Sequence, residues 1–327
     1  MKVLYAIQGT GNGHLSRACD VIPELQKYAV VDILVSGYQA DINLPFSVEY
    51  RLYGMSFIFG KKGSIDICQT IRKAKPLLLL KDIFILPVEK YDLIINDFEP
   101  VTAWACKMKK IPCISLSHQS AVLNSKIPQP KKSDWFGKFM LKNYAPTQKQ
   151  YGIHFKEFDS NIFTPVIRND IRIAKKQTLN HYTVYLPSYD DELLIDIFNN
   201  IPEVDWHVFS KRVTQKVISQ NVIINPVSQE TFAQSMVTSQ GVFCGAGFET
   251  PAEALFLGKK LMVIPMKNQY EQQCNAAALK SMQIPVIYSL SKNSIKTIKQ
   301  WVIFGKPIKV NYKNCIPEMV KKVFDDL

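Results

Sequence analysis

Apolar and polar positions divide the chain into two halves that share one rhythm. Residues 2–7 form a β-branched and aromatic run that stops at the glycine turn Gln8-Gly9-Thr10-Gly11-Asn12-Gly13-His14. Leu15, Ala18, Cys19, Ile22 and Leu25 then recur at helical spacing, and Pro23 predicts a kink in that helix. Further buried strands are predicted at 30–35, 47–52, 93–96 and 112–116, with one or two helices over 64–86 and a short one over 100–109. Strands that are apolar throughout, alternating with helices, predict a parallel, doubly wound sheet. Residues 127–142 read as irregular, and around 160–180 the rhythm breaks, which places a domain boundary near Arg168. The same alternation then restarts, with strands at 183–187, 205–210, 221–225, 241–244, 261–265 and 285–288 and a short last helix at about 315–327. The expectation is α/β: one Rossmann-like domain over 1–168 and a second over 169–327, the last helix placed to pack back on the first.

The densest pattern is GVFCGAGFETPAEALFLGKKLMVIPMKNQYEQQCNA, residues 241–276. Val242, Phe243 and Cys244 end at Gly245-Ala246-Gly247, and Phe248-Glu249-Thr250-Pro251 opens a helix. Thr250 reads as its N-cap, Pro251 as its first residue and Glu253 as the third residue after the cap. Gly258 ends it. A glycine turn feeding a helix N-terminus at the carboxyl end of a strand gathers free N–H groups and the positive end of the helix dipole. Phosphate fits such a turn, although many α/β turns with two glycines bind nothing. The full spacing, G-x-G-x-x-T-x-x-E-A-L-x-x-G-x-x-x-x-x-x-P followed by Q-Y-E-Q-x-x-N-A, resembles the donor half of the nucleotide-sugar glycosyltransferases of GT-B architecture. It looks most similar to the UDP-glycosyltransferases and to the N-acetylglucosaminyl transferase of peptidoglycan synthesis. That resemblance implies two Rossmann-like domains facing across a cleft, acceptor on the first and donor on the second.

Composition narrows the class. The 327 residues, 47% hydrophobic and 11% aromatic, describe a globular chain long enough for two cores. No apolar run reaches membrane-spanning length and Met1 leads straight into a strand, so neither a signal peptide nor an anchor is expected. Seven cysteines, at 19, 68, 106, 113, 244, 274 and 315, form no C-x-x-C pair and read as buried thiols of a reducing compartment. A net charge of +12 favours anionic partners without choosing among nucleotide diphosphates, anionic lipids and nucleic acid.

The first glycine turn is where a dinucleotide fold would show itself, but that reading needs an acid at the end of the second strand. Here that strand ends Val35-Ser36-Gly37-Tyr38, with none. The glycosyltransferases resembled have a glycine turn followed directly by histidine, matched by Gly11-Asn12-Gly13-His14. The resemblance implies His14 as the general base, Asp97 as the acid that orients it, and the turn as an acceptor or phosphate loop. His118, closing the next strand, is the reserve. The plainer readings are a histidine that bonds a turn and an aspartate that caps a helix. His154, His181 and His207 carry no motif.

On the donor side the resemblance implies Glu253 on the ribose hydroxyls, against the plainer reading of a capping box with Thr250. Backbone N–H groups of Gly245, Ala246, Gly247 and Phe248 would hold the diphosphate. Glu271 and Gln272 match the pair that holds the transferred sugar, with Asn268, Gln269 and Ser188 as weaker contacts. No metal site is legible and none is expected; the nucleotide sugar is a co-substrate, and no other cofactor is called for.

The leading reading is therefore an inverting glycosyltransferase of hexosyl type, using a nucleotide-diphosphate sugar, UDP-linked, and an acceptor hydroxyl. A nucleotide-sugar epimerase on the same fold and a non-catalytic binding module stand beside it. The acceptor is expected to be a glycan or lipid-linked, in cell-envelope synthesis in the cytoplasm; no nucleic-acid partner is expected. Residues 126–142 interleave Lys126, Lys131, Lys132, Lys138 and Lys142 with Trp135, Phe136, Phe139, Met140 and Leu141, and 72–81 repeats the mixture. Such a surface suits peripheral contact with anionic membrane. The opposing reading makes these residues ordinary core with a solvated lysine edge.

Overall fold

A computed structural model describes residues 1–37, 44–55, 75–131 and 134–327. Strand β1 (Lys2–Gln8) sits in the middle of the first sheet and is buried on both faces. Its side chains alternate: Val3, Tyr5 and Ile7 join one core cluster, while Leu4 and Ala6 join another. Around it lie β2 (Val30–Ser36), β3 (Tyr50–Leu52), β4 (Leu93–Asp97), β5 (Ile114–Ser117), β6 (Lys149–Ile153) and β7 (Ile162–Phe163). These are all parallel, in the order β3-β2-β1-β4-β5-β6-β7.

The second sheet joins β8 (His181–Tyr185), β9 (Asp205–Ser210), β10 (Val217–Ser219), β11 (Val222–Pro226), β12 (Gly241–Gly245) and β13 (Lys260–Ile264). Its order is β10-β11-β9-β8-β12-β13, parallel except for the β10–β11 pair. Arg168 lies on the segment between the two sheets. The helices that flank the first sheet are α1 (Asn12–Leu25), α2 (Pro76–Ile85), α3 (Pro100–Lys109), α4 (His118–Val122) and α5 (Trp135–Tyr144). A short α6 (Asn169–Ile173) follows, then α7 (Asp191–Asn199), α8 (Gln229–Thr238), α9 (Glu249–Phe256), α10 (Tyr270–Ser281) and α11 (Ile295–Phe304). The last helix, α12 (Ile316–Asp325), packs on α1: Phe324 stacks on Tyr28 with ring centroids 4.9 Å apart, and Tyr151 donates to the Asp326 carboxylate.

Several sequence expectations change here. The strand expected at 285–288 is reduced to a single bridge between Val286 and Val263, because only Pro285 O and Ile287 N reach the β13 backbone. The third strand is shorter than 47–52. Strands β6, β7 and β10 were not foreseen, and 135–144, read as irregular, is a helix capped by the Asp134 side chain on Gly137 N. Of the helices expected over 64–86, only 76–85 falls within the described residues. Pro23 lies in the last turn of α1, two residues before its end.

The core reading of 126–142 is also overturned for its large side chains. Trp135 is 75% exposed, Phe136 50% and Phe139 57%. On α2, Leu77, Leu80, Phe84 and Ile85 are exposed as well, while Leu78 and Leu79 are half-buried. Lys132, Arg72 and Lys73 lie outside the described residues, as does Cys68. The cysteines among the described residues are free thiols, five of them buried.

Candidate active site

Two helices open on the same cavity. Gly11, with φ +86, turns the chain from β1 into α1, and Phe248 leads from β12 into α9. Neither helix has a side-chain cap on its first N–H groups. The first turns of both helices, with their two positive dipole ends, face a cavity of about 610 Å³. Gly11, Asn12, Gly13 and Ser16 line it from the first domain, and Gly245, Gly247, Phe248, Glu249, Thr250, Glu253 and Gln272 from the second. Ser188, Arg168, Lys211 and Arg212 complete the wall and add cationic charge. Arg212 also braces the 187–189 loop, donating to the carbonyls of Tyr189 at 2.7 Å and Pro187 at 3.0 Å. Helix N-termini and cations placed this way favour an anionic ligand.

At the edge of the cavity His14 meets Asp97. Asp97 closes β4, in register with Ile7 of β1, so the strand ends bring it beneath the first turn of α1. His14 Nδ1 lies 2.8 Å from Asp97 Oδ1. Asp97 has no solvent exposure. Burial alone would raise its carboxyl, but the charges of Arg17 and then His14 outweigh it and hold Asp97 below the usual carboxylate range. An ionised carboxylate only accepts, so Nδ1 donates and the ring lone pair is left on Nε2. Nε2 lies 3.5 Å from the Gln119 amide, which donates to Glu271 Oε2 at 3.2 Å.

Arg17 had no place in the sequence reading. It sits one turn after His14, 3% exposed, and Nη2 reaches both Asp97 oxygens at 2.8 Å. Its Nη1 crosses to Glu249 Oε1 at 2.8 Å. The i, i+3 spacing from His14 was the available signal. Phe98, next to Asp97, holds a left-handed backbone at φ +58, and its ring stacks on Tyr144 with centroids 4.7 Å apart. For a bulky L-residue that conformation costs about 1–2 kcal/mol. Glu99 does not reach the cleft: it caps α3 through Val101 N and Thr102 N and accepts from Ser36.

The reserve base, His118, is displaced from that role. It is 1% exposed, and both ring nitrogens are engaged, Nδ1 with Ile153 O and Nε2 with Asn275 Oδ1, each at 2.8 Å. Its ring stacks on Phe248 across the domain seam, centroids 3.9 Å apart. Burial lowers its pKa, only partly opposed by Glu271.

Several donor-side expectations change. Helix α9 starts at Glu249, so Thr250 lies inside its first turn and the capping box does not form. Glu253 instead binds Arg168, Nε to Oε1 at 2.6 Å and Nη2 to Oε2 at 2.9 Å. Burial raises Glu253 and Arg168 draws it back only in part. Ala246 has no N–H to offer a diphosphate, because it donates to Ile264 O at 3.2 Å, while its carbonyl accepts from Asn275. Gln272 is in the wall, with Oε1 accepting from Met266 N at 2.9 Å. Glu271 sits apart from the wall, on the His14 side, through Gln119. Gln269 caps α10 on Gln272 N, and exposed Asn268, φ +59, stands outside the wall. Among the described residues no three His, Cys, Asp or Glu side chains gather where they could hold a metal ion.

The sequence profile of glycosyl transferase family 1 matches residues 1–303. The sequence matches no curated protein. Among solved structures, the UDP-GlcNAc 2-epimerase of Neisseria meningitidis bound to UDP-GlcNAc superposes with a TM-score of 0.63 at 13% identity, over 100% of this chain and 99% of that one. The Arabidopsis thaliana UGT89C1 complexed with UDP gives 0.61 at 12%, over 99% and 94%. MurG of Acinetobacter baumannii gives 0.54 at 16%, over 98% and 94%. At such identities the likeness concerns the fold, which is the two-domain GT-B arrangement.

Proposed function

The chain belongs to glycosyl transferase family 1, and on that footing we propose that it moves a hexose from a UDP-linked donor to an acceptor hydroxyl with inversion. His14 is the general base in this reading. One observation carries it: a histidine held by a buried carboxylate at 2.8 Å, on the first turn of α1 directly after Gly13 of the cavity wall. The acceptor hydroxyl gives its proton to His14 Nε2 as its oxygen attacks the anomeric carbon. The nucleoside diphosphate leaves toward the first turns of α1 and α9 and the nearby Lys211 and Arg168, whose fixed charges offset the developing negative charge. Glu253 accepts from the ribose hydroxyls on the lone pairs Arg168 leaves open, and Glu271 and Gln272 hold the transferred sugar. No metal is required in this scheme, since the helix ends and cations do that electrostatic work.

An epimerase on the same fold would need acids free around the sugar. In the first domain Asp97 is engaged by His14 and Arg17, and Glu99 is spent as a helix cap, which favours transfer. The acceptor is proposed to be a glycan or lipid-linked, delivered in the cytoplasm at an anionic membrane surface. Exposed Trp135, Phe136 and Phe139 among Lys131, Lys138 and Lys142 support that docking face. The test is nucleotide release with a panel of UDP-sugars and an acceptor mixture. Release that depends on acceptor supports transfer; an epimerised sugar from donor alone, or no turnover with any donor that raises the melting temperature, refutes it.

A further inference from the structure

Arg17 is buried and holds two carboxylates, and the reaction scheme above leaves it unused. Its guanidinium makes three contacts to Asp97, at 2.8, 2.8 and 3.3 Å, and a fourth to Glu249 at 2.8 Å. One cation thus holds a carboxylate of β4 and a carboxylate from the first turn of α9, in different domains. Glu249 in turn rests on the α1 turn, so closely that a Cβ placed on Gly13 would meet its carboxylate at 2.6 Å.

The position beside His14 gives this chemical meaning. Arg17 Nη2 lies 3.1 Å from His14 Nδ1, the atom that donates to Asp97. That nitrogen has no lone pair left to accept from Arg17, so the approach is one cationic group beside a ring that would become a second. Asp97 thus shares its charge between the Arg17 guanidinium and the His14 ring. The other groups around His14 are Glu249 from α9, Gln119 of α4 with Glu271 behind it, and neutral His118. Tyr5 lies behind Asp97, its phenol kept protonated by burial.

We propose that Arg17 is a positioning residue of the transfer reaction: its fork fixes Asp97 so that His14 Nδ1 is the protonated nitrogen, keeps the ring available as a base, and fastens this pair to the donor-side helix through Glu249. The proposal deepens the reading of His14 as base and rests on it. Arg17 touches neither substrate and acts through Asp97 and Glu249. A lysine supplies the charge from a single point, without the planar fork that spans Asp97 and Glu249 in fixed geometry.

The test follows the histidine ring nitrogens by NMR in protein labelled with 15N-histidine, with His14 assigned by His14→Ala. Arg17→Gln and Arg17→Lys are compared with the native chain, and turnover is measured alongside. In Arg17→Gln the ring-nitrogen signals of His14 are expected to lose the Nδ1-protonated pattern of the native ring, and kcat falls at least tenfold while donor KM stays within about threefold. Arg17→Lys is expected to recover part of that tautomer pattern but not kcat. A native His14 tautomer pattern and native kcat in Arg17→Gln, with only a lower melting temperature, would make Arg17 a structural bridge. Should Arg17→Gln not fold, native kcat in Arg17→Lys overturns the fork requirement. Turnover in native protein no faster than in His14→Ala would sink the base reading instead, and the NMR comparison would still decide what Arg17 does to His14.

Discussion

Arg168 and Glu253 form a two-pronged ion pair, 2.6 and 2.9 Å, between the segment joining the two sheets and the helix that walls the donor cavity. Glu253 is 5% exposed on its side chain and Arg168 15%. A carboxylate held this way keeps a second lone pair on each oxygen, enough to accept from a ribose diol. The acid is thus a tether, and on the proposed reading it is also the ribose-binding group, where the sequence suggested a binding group or a cap.

Glu253→Ala is expected to lose in both currents. Nucleotide affinity falls by about 1–3 kcal/mol, as for a charged acceptor removed from bound hydroxyls. Stability falls by about 2 kcal/mol, less than a fully buried pair would lose because Arg168 keeps some contact with water. Titration calorimetry with UDP and thermal melts separate the two. Unchanged affinity with a lower melting temperature would leave Glu253 as a tether alone.

The dyad predicts a different profile. His14→Ala is expected to leave UDP affinity nearly intact and to cut turnover by about two orders of magnitude or more. Asp97→Asn should cost nearly as much, because an amide can donate to Nδ1 and stabilise the wrong tautomer. Near-native turnover in His14→Ala would remove it from the mechanism.

The dyad was legible because both partners sit at strand ends. A glycine turn after β1 and an acid closing β4 meet at one sheet edge whatever lies between them in sequence. Arg17 was half legible, one helical turn from His14, but nothing local marked it as facing Asp97. The Arg168–Glu253 pair had no signal at all, since 85 residues separate them and only the tertiary fold brings them together. Thr250 misled because its cap chemistry is sound; the chain begins the helix earlier, with Phe248 turned in to stack on His118. Helix α5 was missed although Trp135, Phe136, Phe139, Met140 and Tyr144 recur at helical spacing; Tyr144 is its one fully buried side chain, with Leu141 partly buried against Tyr270 and Cys274.

Acid should weaken the seam between the domains. His118 and His154 stand beside each other, ring centroids 5.1 Å apart, and burial lowers the pKa of both. Below about pH 6.5 the unfolded chain takes up protons that the folded chain refuses. Stability therefore declines as pH falls from 7, by up to about 1.4 kcal/mol per pH unit for each such histidine, until the folded values are reached. His181 and His207, the latter lowered to about 4, add to the slope. Glu99 and Glu253, raised by burial, pull the other way, so the informative comparison is between variants. His154→Leu should melt lower at pH 7 yet lose less between pH 7 and 5.5 than the native chain. An unchanged slope would mean His154 is not among the groups that take up protons on unfolding.

The docking face is tested by separating its two components. Helix α5 presents Trp135, Phe136 and Phe139 to solvent, with Lys138 and Lys142 exposed on the same ten residues and Lys131 just before them. Aromatic rings enter the headgroup region, and lysines gain about 1 kcal/mol each near an anionic surface, a term that salt screens. None of the described helices is long and apolar enough to cross a membrane. Co-sedimentation with vesicles of anionic lipid should be strong at low salt and weak at high salt. A Lys131→Glu, Lys138→Glu, Lys142→Glu variant should lose binding at every salt concentration. Trp135→Ala with Phe139→Ala should weaken binding while leaving its salt dependence in place, since the charges remain. Both variants should keep the native melting temperature, because the replaced side chains already lie in water. Binding indifferent to the charge reversals, or absent at low salt, would assign this face to another partner and leave the acceptor soluble.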